Sequence, residues 1–147
     1  MGIQIQHLTK SYDNLEIFRD FSITFPEGKI SCILGPSGCG KTTLLNMLGG
    51  ITAQDKGSIV YNNNQVISYI FQEPRLLPWK TAKENIEFVI KGHTNHNLQK
   101  KLNQYLDMVG LRQFKNYYPA FLSGGMKQRV SIARAFIYPS DTILMDE

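Results

Sequence analysis

Apolar and polar residues alternate along two segments in the first part of the chain, "IQIQHL" (3–8) and "FSITF" (21–25). A period of two is typical of half-buried strands, so both segments are predicted to be strands. "KISCIL" (29–34) is more continuously apolar and stops at Gly35-Pro36, which predicts a buried strand. "TILM" (142–145) is predicted to be the last strand of the chain.

Helical spacing of apolar residues is found between these strands. A short helix is predicted through Leu44, Leu45 and Leu48, ending at Gly49-Gly50. Thr81 and Glu84 have the spacing of a capping box, which predicts a helix over "NIEFVI" (85–90).

Two further helices are predicted in the second half. One starts at Asn97 and ends at Gly110. The other runs from about Gly124 to Ile137, before Pro139. Its predicted inner face consists of Met126, Val130, Ala133 and Ile137.

Strands that alternate with helices indicate an α/β core in layers. The segment "SIVYNNNQVISYIF" (58–71) has the pattern of two short strands around an asparagine-rich turn. The 147 residues fit one domain, in which residues 81–121 are interpreted as a helical insertion.

The amino-acid composition excludes few classes of protein. Hydrophobic residues make up 42% and charged residues 19%, as in ordinary globular proteins, and no apolar run approaches the length of a membrane span. The net charge of +4 fits nucleic acid, anionic lipid, a polyphosphate ligand or simply a solvated surface. Cys32 and Cys39 lack metal-ligand spacing, which favours a reducing compartment without disulfides.

The segment "GPSGCGKTT" (35–43) satisfies the pattern G-x-x-x-x-G-K-[ST] and follows a predicted strand and precedes a predicted helix. Glycines let consecutive backbone N–H groups turn inward toward phosphate oxygens. Lys41 is predicted to contact the β- and γ-phosphates, and the Thr42 hydroxyl is predicted to ligate Mg²⁺. The predicted ATP-binding residues of this loop are Gly35, Pro36, Ser37, Gly38, Cys39, Gly40, Lys41, Thr42 and Thr43.

Two carboxylates follow the last predicted strand. Asp146 is predicted to be a Mg²⁺ ligand opposite Thr42, and Glu147 is predicted to accept a proton from the attacking water. Without the phosphate loop, "DE" would be better explained as a strand that ends in solvent.

The segment "LSGGMKQRVSIARA" (122–135) resembles the L-S-G-G-Q signature motif of ABC transporter ATP-binding subunits, with Met126 in place of the usual Gln. Ser123 can begin a helix, but two glycines directly after it weaken a helix start unless another group approaches closely. The signature residues are Leu122, Ser123, Gly124, Gly125, Met126 and Gln128.

The resemblance implies that the signature motif binds the γ-phosphate of ATP held by a second copy, so that nucleotide joins two subunits head to tail. The cofactors it implies are ATP and Mg²⁺. It further implies a cytoplasmic location on the inner face of the cell membrane, transmembrane permease subunits as partners, a solute-binding protein as an indirect partner, and no nucleic acid. The function it implies is ATP hydrolysis that powers solute import. The fold it implies is the P-loop core of ABC ATPases with an N-terminal antiparallel β part. Residues 1–80 correspond to the phosphate-loop core and this β part, and 122–147 to the signature helix and Walker B strand.

The other family marks occur in order. "YIFQEPRLLPW" (69–79) resembles the Q-loop, in which Gln72 is expected to contact Mg²⁺ or the attacking water. Tyr12 stands where the family places an aromatic residue that stacks on adenine, with Phe18 as the alternative. "LMDE" (144–147) matches the Walker B motif and catalytic glutamate.

"FQEPRLLPW" followed by "ENIEF" resembles importers of sulfonates, taurine or nitrate. The apolar segment 76–79 suggests a docking surface for a permease helix, and its alternative is a small cluster packed under the helical insertion.

The family pattern ordinarily continues beyond Walker B, and His7, His93 and His96 all precede the position of its γ-phosphate-sensing histidine. We therefore expect these 147 residues alone to be marginally stable or prone to aggregation, and to hydrolyse ATP weakly or not at all. The alternatives are a non-catalytic nucleotide-binding fragment, or a soluble ABC ATPase that acts on nucleic acid.

Overall fold

The computed structural model describes residues 2–62, 65–90 and 97–146, and only the backbone of residues 97–99. Contacts divide the chain into two compact units. The first comprises the residues up to Gln65 together with Asp146, and the second comprises Val66–Met145.

A three-stranded antiparallel sheet forms most of the first unit. Its strands are β1 (Ile3–Tyr12), β2 (Leu15–Phe25) and β3 (Lys56–Val60), in the order β2-β1-β3. The two strands predicted at 3–8 and 21–25 are confirmed, and both continue toward each other into a hairpin.

A bulge in β1 corrects its hydrophobic register. Ile3 and Ile5 are buried, and strict alternation would bury residue 7 next. Instead His7 adopts a left-handed backbone conformation with φ 51°, the pairing with β2 shifts between Ile5 and Leu8, and Leu8 is buried.

The predicted buried strand at 29–34 is wrong. These residues have no regular secondary structure, and Ile30 and Leu34 are 101% and 87% exposed. A strand needs a lateral hydrogen-bonding partner, and the strands that the structure describes pair with one another and not with this segment. Cys32, in the same segment, is likewise exposed.

Helix α1 (Lys41–Leu48) follows the glycine-rich loop, as predicted. It is amphipathic, and its buried residues are Leu44, Leu45, Met47 and Leu48. It ends at Gly49, whose N–H bonds to Leu45 O at 2.8 Å.

Strands β4 (Ile67–Ile70) and β5 (Thr142–Met145) pair in parallel in the second unit. The two short strands predicted in 58–71 therefore both exist, but they do not pair with each other, because β3 pairs with β1 and β4 pairs with β5. Asn63 and Asn64, at the centre of the predicted turn, lie outside the described residues.

Three helices build the core of the second unit: α2 (Ala82–Ile90), α3 (Asn97–Met108) and α4 (Gly124–Ile137). All three predicted helices are confirmed, and so is the inner face of α4. The buried cluster consists of Ala82, Ile86, Ile90, Leu102, Leu106, Leu111, Leu122, Val130, Ala133 and Ile137.

The predicted capping box begins α2. The Glu84 carboxylate accepts from the Thr81 N–H at 2.7 Å, and the Thr81 hydroxyl accepts from the Glu84 N–H at 3.3 Å. The Thr81 hydroxyl also donates to the Glu84 carboxylate at 2.9 Å, and the backbone and then the side-chain hydrogen bond from Thr81 lower the pKa of the Glu84 carboxyl.

Among the described residues, no helix has the length and apolar character needed to cross a membrane. The α/β class, with an antiparallel sheet near the N-terminus and a helical segment after it, agrees with the prediction.

Candidate functional site

The loop between residue 35 and α1 has the backbone geometry expected of an anion-binding turn. Gly38 and Gly40 have φ of 80° and 101°, a region that side chains disfavour. Gly40 is also tightly packed, because an added Cβ would lie 2.6 Å from Ile17 Cγ2 and 3.0 Å from Phe18 Cζ. Strand β2 therefore contacts the loop from one side.

Lys41 closes the loop from within. Its Nζ donates to both Gly35 O and Pro36 O at 2.8 Å, and lies 3.9 Å from Cys39 Sγ. The ammonium group is thus held over the turn that the sequence pattern assigns to phosphate.

The N-terminus of α1 adds a partial positive charge. Gly40 precedes the helix and has no side chain with which to cap it. The first helical N–H groups, of Lys41, Thr42 and Thr43, have no intrahelical acceptor, and the helix dipole adds to their charge. Together with the Lys41 ammonium they form an anion-binding arrangement.

The Thr42 hydroxyl donates to Asp146 Oδ1 at 3.0 Å, across 104 positions of sequence. The structure therefore brings together two of the three predicted metal ligands. Gln72, the third, follows β4 in the second unit. Glu147, the predicted catalytic carboxylate, lies outside the described residues.

The Thr42–Asp146 pair fits the chemistry of Mg²⁺. It supplies one hydroxyl and one carboxylate oxygen, and Mg²⁺ is usually bound by one or two carboxylates together with water and substrate phosphates. Within the described ranges, no group of three His, Cys, Asp or Glu side chains could hold a metal by itself.

Tyr12 and Phe18 differ in their surroundings. The Phe18 ring packs against Gly40 and against Phe21, with a centroid separation of 5.3 Å to Phe21. Tyr12, at the end of β1, is 45% exposed, and the Lys10 ammonium lies 5.1 Å from its ring centroid. Phe18 is part of the packing of the loop, whereas Tyr12 presents ring surface to solvent.

The predicted signature motif forms the start of α4. Ser123 caps the helix, and its hydroxyl accepts from the Met126 N–H at 3.3 Å. A Cβ added at Gly124 or Gly125 would meet nothing within 4 Å, so packing within the described chain does not require glycine there. Leu122 is buried in the helical core.

Helix α4 also holds the segment after β4, through contacts that the sequence patterns did not reveal. Gln128 Nε2 donates to Phe71 O at 3.5 Å. Arg134 donates to Arg75 O and Pro74 O, both at 3.0 Å, and burial lowers the pKa of its guanidinium. Arg75 has a φ of 44°, so these bonds fix a strained turn.

Segment 76–79 is interpreted either as a docking surface or as a cluster packed under the helical insertion, and different residues of the segment fit each interpretation. Leu76 packs against the helical core, and Asn85 bonds to both backbone groups of Leu77. Trp79 is 70% exposed.

His7 is not part of the loop geometry described above. His7 Nδ1 lies 2.6 Å from Asp20 Oδ1 on the exposed hairpin. His93 and His96 lie outside the described residues.

A glycine-rich loop closed by a lysine and followed by a helix, together with a Thr–Asp contact at the start of that helix, is characteristic of P-loop nucleotide-binding proteins. The chain belongs to the ABC transporter family, whose profile matches residues 18–147.

Three curated relatives illustrate the likeness. The taurine import ATP-binding protein TauB of Roseobacter denitrificans is 36% identical over 99% of this chain. The aliphatic sulfonates import ATP-binding protein SsuB 2 of Pseudomonas syringae pv. tomato is 40% identical over 94%. The spermidine/putrescine import ATP-binding protein PotA of Fusobacterium nucleatum is 35% identical over 99%. The chain spans 59%, 58% and 42% of their respective lengths.

A solved structure agrees with the fold. The ATP-binding cassette MJ0796, in a dimeric post-hydrolysis state bound to ADP and Pi, is 30% identical with a TM-score of 0.86. The match covers 99% of this chain and 73% of that one. The predicted ABC ATPase fold is therefore confirmed for the part that this chain represents.

Proposed function

We propose that this chain binds Mg-ATP as the nucleotide-binding part of an ABC import ATPase. The main observation in support is the Thr42–Asp146 contact beside a loop that Lys41 closes. The helix N-terminus and the lysine supply positive charge for the phosphates, and the hydroxyl and carboxylate supply oxygens for the cation. Family membership and the functions for which the relatives are named support the same conclusion.

Isothermal titration calorimetry of ATP binding to the 147-residue chain tests this proposal. Lys41→Met should weaken ATP binding by roughly tenfold to a hundredfold, because a charge-assisted contact to phosphate is lost. Lys101→Met removes an exposed lysine from α3 and serves as the matched control. Equal affinity in Lys41→Met and Lys101→Met would contradict the proposal.

We propose hydrolysis and dimerisation for the whole subunit. When bound, Mg²⁺ would offset charge on the phosphates. Gln72 would orient the attacking water, and Glu147 would accept its proton. The open space beside Gly124 and Gly125 supports the close approach of ATP held by a second subunit. In this scheme residues 1–80 carry the loop, 81–121 form the helical insertion, and 122–147 carry the signature helix and Walker B strand.

The partners would be transmembrane permease subunits on the cytoplasmic side, with the exposed Trp79 as a contact for one of them. A solute-binding protein would act indirectly.

Sulfonates are the proposed solutes, since two of the relatives are named for importing taurine and aliphatic sulfonates. Deletion of the gene should abolish growth on taurine or an alkanesulfonate as the sole sulfur source and leave growth on sulfate unchanged. Unimpaired growth on sulfonates, with loss of spermidine uptake, would assign a polyamine instead.

A further inference from the structure

Neighbouring residues restrict the orientation of the Tyr12 ring, and part of the ring is exposed. It is the last residue of β1, opposite Leu15 across the hairpin turn, where Asp13 adopts a φ of 50°. A ring at the end of a strand would ordinarily be free to change rotamer. Here the Lys10 ammonium lies 5.1 Å from its centroid, within the range of a cation–π contact.

Lys10 is itself held in place by Asp55. Its Nζ donates to Asp55 Oδ1 at 2.9 Å, and its side chain is only 12% exposed while that of Asp55 is 42% exposed. The aliphatic part of Lys10 is therefore packed, and the ammonium has a fixed partner at its end.

Asp55 is anchored to β1 on both sides of Lys10. Its Oδ2 accepts from the Ser11 N–H at 2.7 Å, and its own N–H donates to Thr9 O at 2.9 Å. The Lys10 ammonium and then the Ser11 N–H lower the pKa of the Asp55 carboxyl. The carboxylate thus stays ionised at neutral pH and cannot move without breaking backbone contacts.

This network does more than a surface ion pair requires. An exposed ion pair contributes little to stability. Here Asp55 is also hydrogen-bonded to the backbone of Thr9 and Ser11, the residues on either side of Lys10. The geometric effect of the network is to cover one face of the Tyr12 ring with a cation and to fix the ring's orientation. The remaining exposed ring surface is then preorganised for a flat partner.

We propose that Lys10 and Asp55 are positioning residues that hold Tyr12 as a stacking platform for the nucleotide base. This inference rests on the proposed function and on the stacking role that the family resemblance implies for Tyr12, and it adds the support that Lys10 and Asp55 give to the ring. Lys10 and Asp55 act through Tyr12 and do not touch the triphosphate.

Two ligands separate the two kinds of recognition: ATP, and inorganic tripolyphosphate, which has no base. Titration of the 147-residue chain with each, in the presence of Mg²⁺, should show that Lys10→Met weakens ATP binding roughly twofold to tenfold and leaves tripolyphosphate binding unchanged. Asp55→Asn should have the same selective effect. Retained tripolyphosphate binding also shows that each variant is folded.

Three further variants sharpen the test. Tyr12→Ala should weaken ATP binding about tenfold or more, and adding Lys10→Met to it should cause no further loss. Lys10→Arg, which keeps the charge, should retain ATP affinity. Lys83→Met, which breaks the half-buried Lys83–Glu87 pair on α2, is the matched control and should bind both ligands normally.

The outcomes distinguish the two proposals. Unchanged ATP affinity in Lys10→Met, or an equal loss for ATP and tripolyphosphate, would overturn the positioning role and leave the proposed function intact. Failure of the unaltered chain to bind ATP would overturn the proposed function and this inference together.

Discussion

The Thr42 hydroxyl and the Asp146 carboxylate are single groups whose contact joins distant parts of the sequence. Each is weak evidence alone, since a threonine at a helix start and an aspartate after a strand are both common. Their 3.0 Å separation beside the Lys41 loop gives them a shared role, because hard oxygen donors from two elements converge there.

Asp146→Asn should therefore remove most of the gain in ATP affinity that Mg²⁺ provides, roughly tenfold or more, because a neutral amide is a weaker ligand than a carboxylate. The measurement is ATP titration with Mg²⁺ and again with a chelator. Asp107→Asn, which breaks the exposed Asp107–Arg112 pair, should keep the full difference. A full Mg²⁺ effect in Asp146→Asn would contradict the assigned role.

Residue identities in the loop could be predicted from sequence because the pattern carries its own mechanism. Gly38 and Gly40 are required by positive φ, and Lys41 follows at a fixed spacing. The role of Asp55 could not be predicted, because its contacts with β1 cross 44 and 45 positions and depend on how β3 pairs. Lys10, two residues before Tyr12 on a strand, carried a partial signal.

Elements depend on local signals to different degrees. Helix α2 was predictable because Thr81 and Glu84 determine its start within four residues. The strand predicted at 29–34 failed because apolar character indicates burial but does not provide a partner strand. Strands β3 and β4 belong to different sheets, and nothing in the sequence of the segment between them predicts this.

The start of α2 should be sensitive to substitution and to pH. Thr81→Ala should lower the free energy of unfolding by about 1 kcal/mol, since it removes the helix cap. The folded-state pKa of Glu84 is lowered, so its contribution is complete above the unfolded-state pKa and is lost as pH falls through the folded-state value.

Urea unfolding followed by circular dichroism at pH 7 and at about pH 3 checks both statements. Glu84→Gln should be less stable than the unaltered chain at pH 7, and the two should converge in acid. Glu87→Gln, on the same helix, is the control. A constant difference between Glu84→Gln and the unaltered chain at both pH values would refute the assignment.

Helix α4 should govern the mobility of the turn after β4. Arg134→Met keeps the apolar stem and removes the two hydrogen bonds to Pro74 O and Arg75 O, so the strained turn at Arg75 should open more often. Hydrogen exchange in residues 71–79 should accelerate about tenfold or more.

Arg134→Lys should restore protection only in part, because one ammonium lacks the forked geometry of guanidinium. Arg129→Met provides the matched control on the same helix, since Arg129 donates to Val109 O. Unchanged exchange in 71–79 with Arg134→Met would show that α4 does not hold this turn.

At the scale of the whole molecule, exposed apolar surface sets the behaviour in solution. Ile30 and Leu34 are both exposed in one segment without regular structure, and large exposed apolar side chains favour association. The second unit nevertheless has its own buried core, which is the helical cluster around α2, α3 and α4.

The chain should therefore self-associate with rising concentration, and Ile30→Lys combined with Leu34→Lys should reduce this measurably in sedimentation velocity. Leu15→Lys replaces another exposed apolar residue, at the hairpin turn, and is the control. Equal association in all three proteins would show that the segment 29–34 is not responsible.

The two carbonyl contacts of Lys41 have a consequence for ligand affinity. Any anion that enters the loop competes with Gly35 O and Pro36 O for the same ammonium group. The binding free energy is then the difference between the hydrogen bonds that Lys41 forms with the anion and those that it gives up with the two carbonyl groups. A substitution that weakens only the bonds from Lys41 to the two carbonyl groups would increase the affinity for the anion without adding a contact to it.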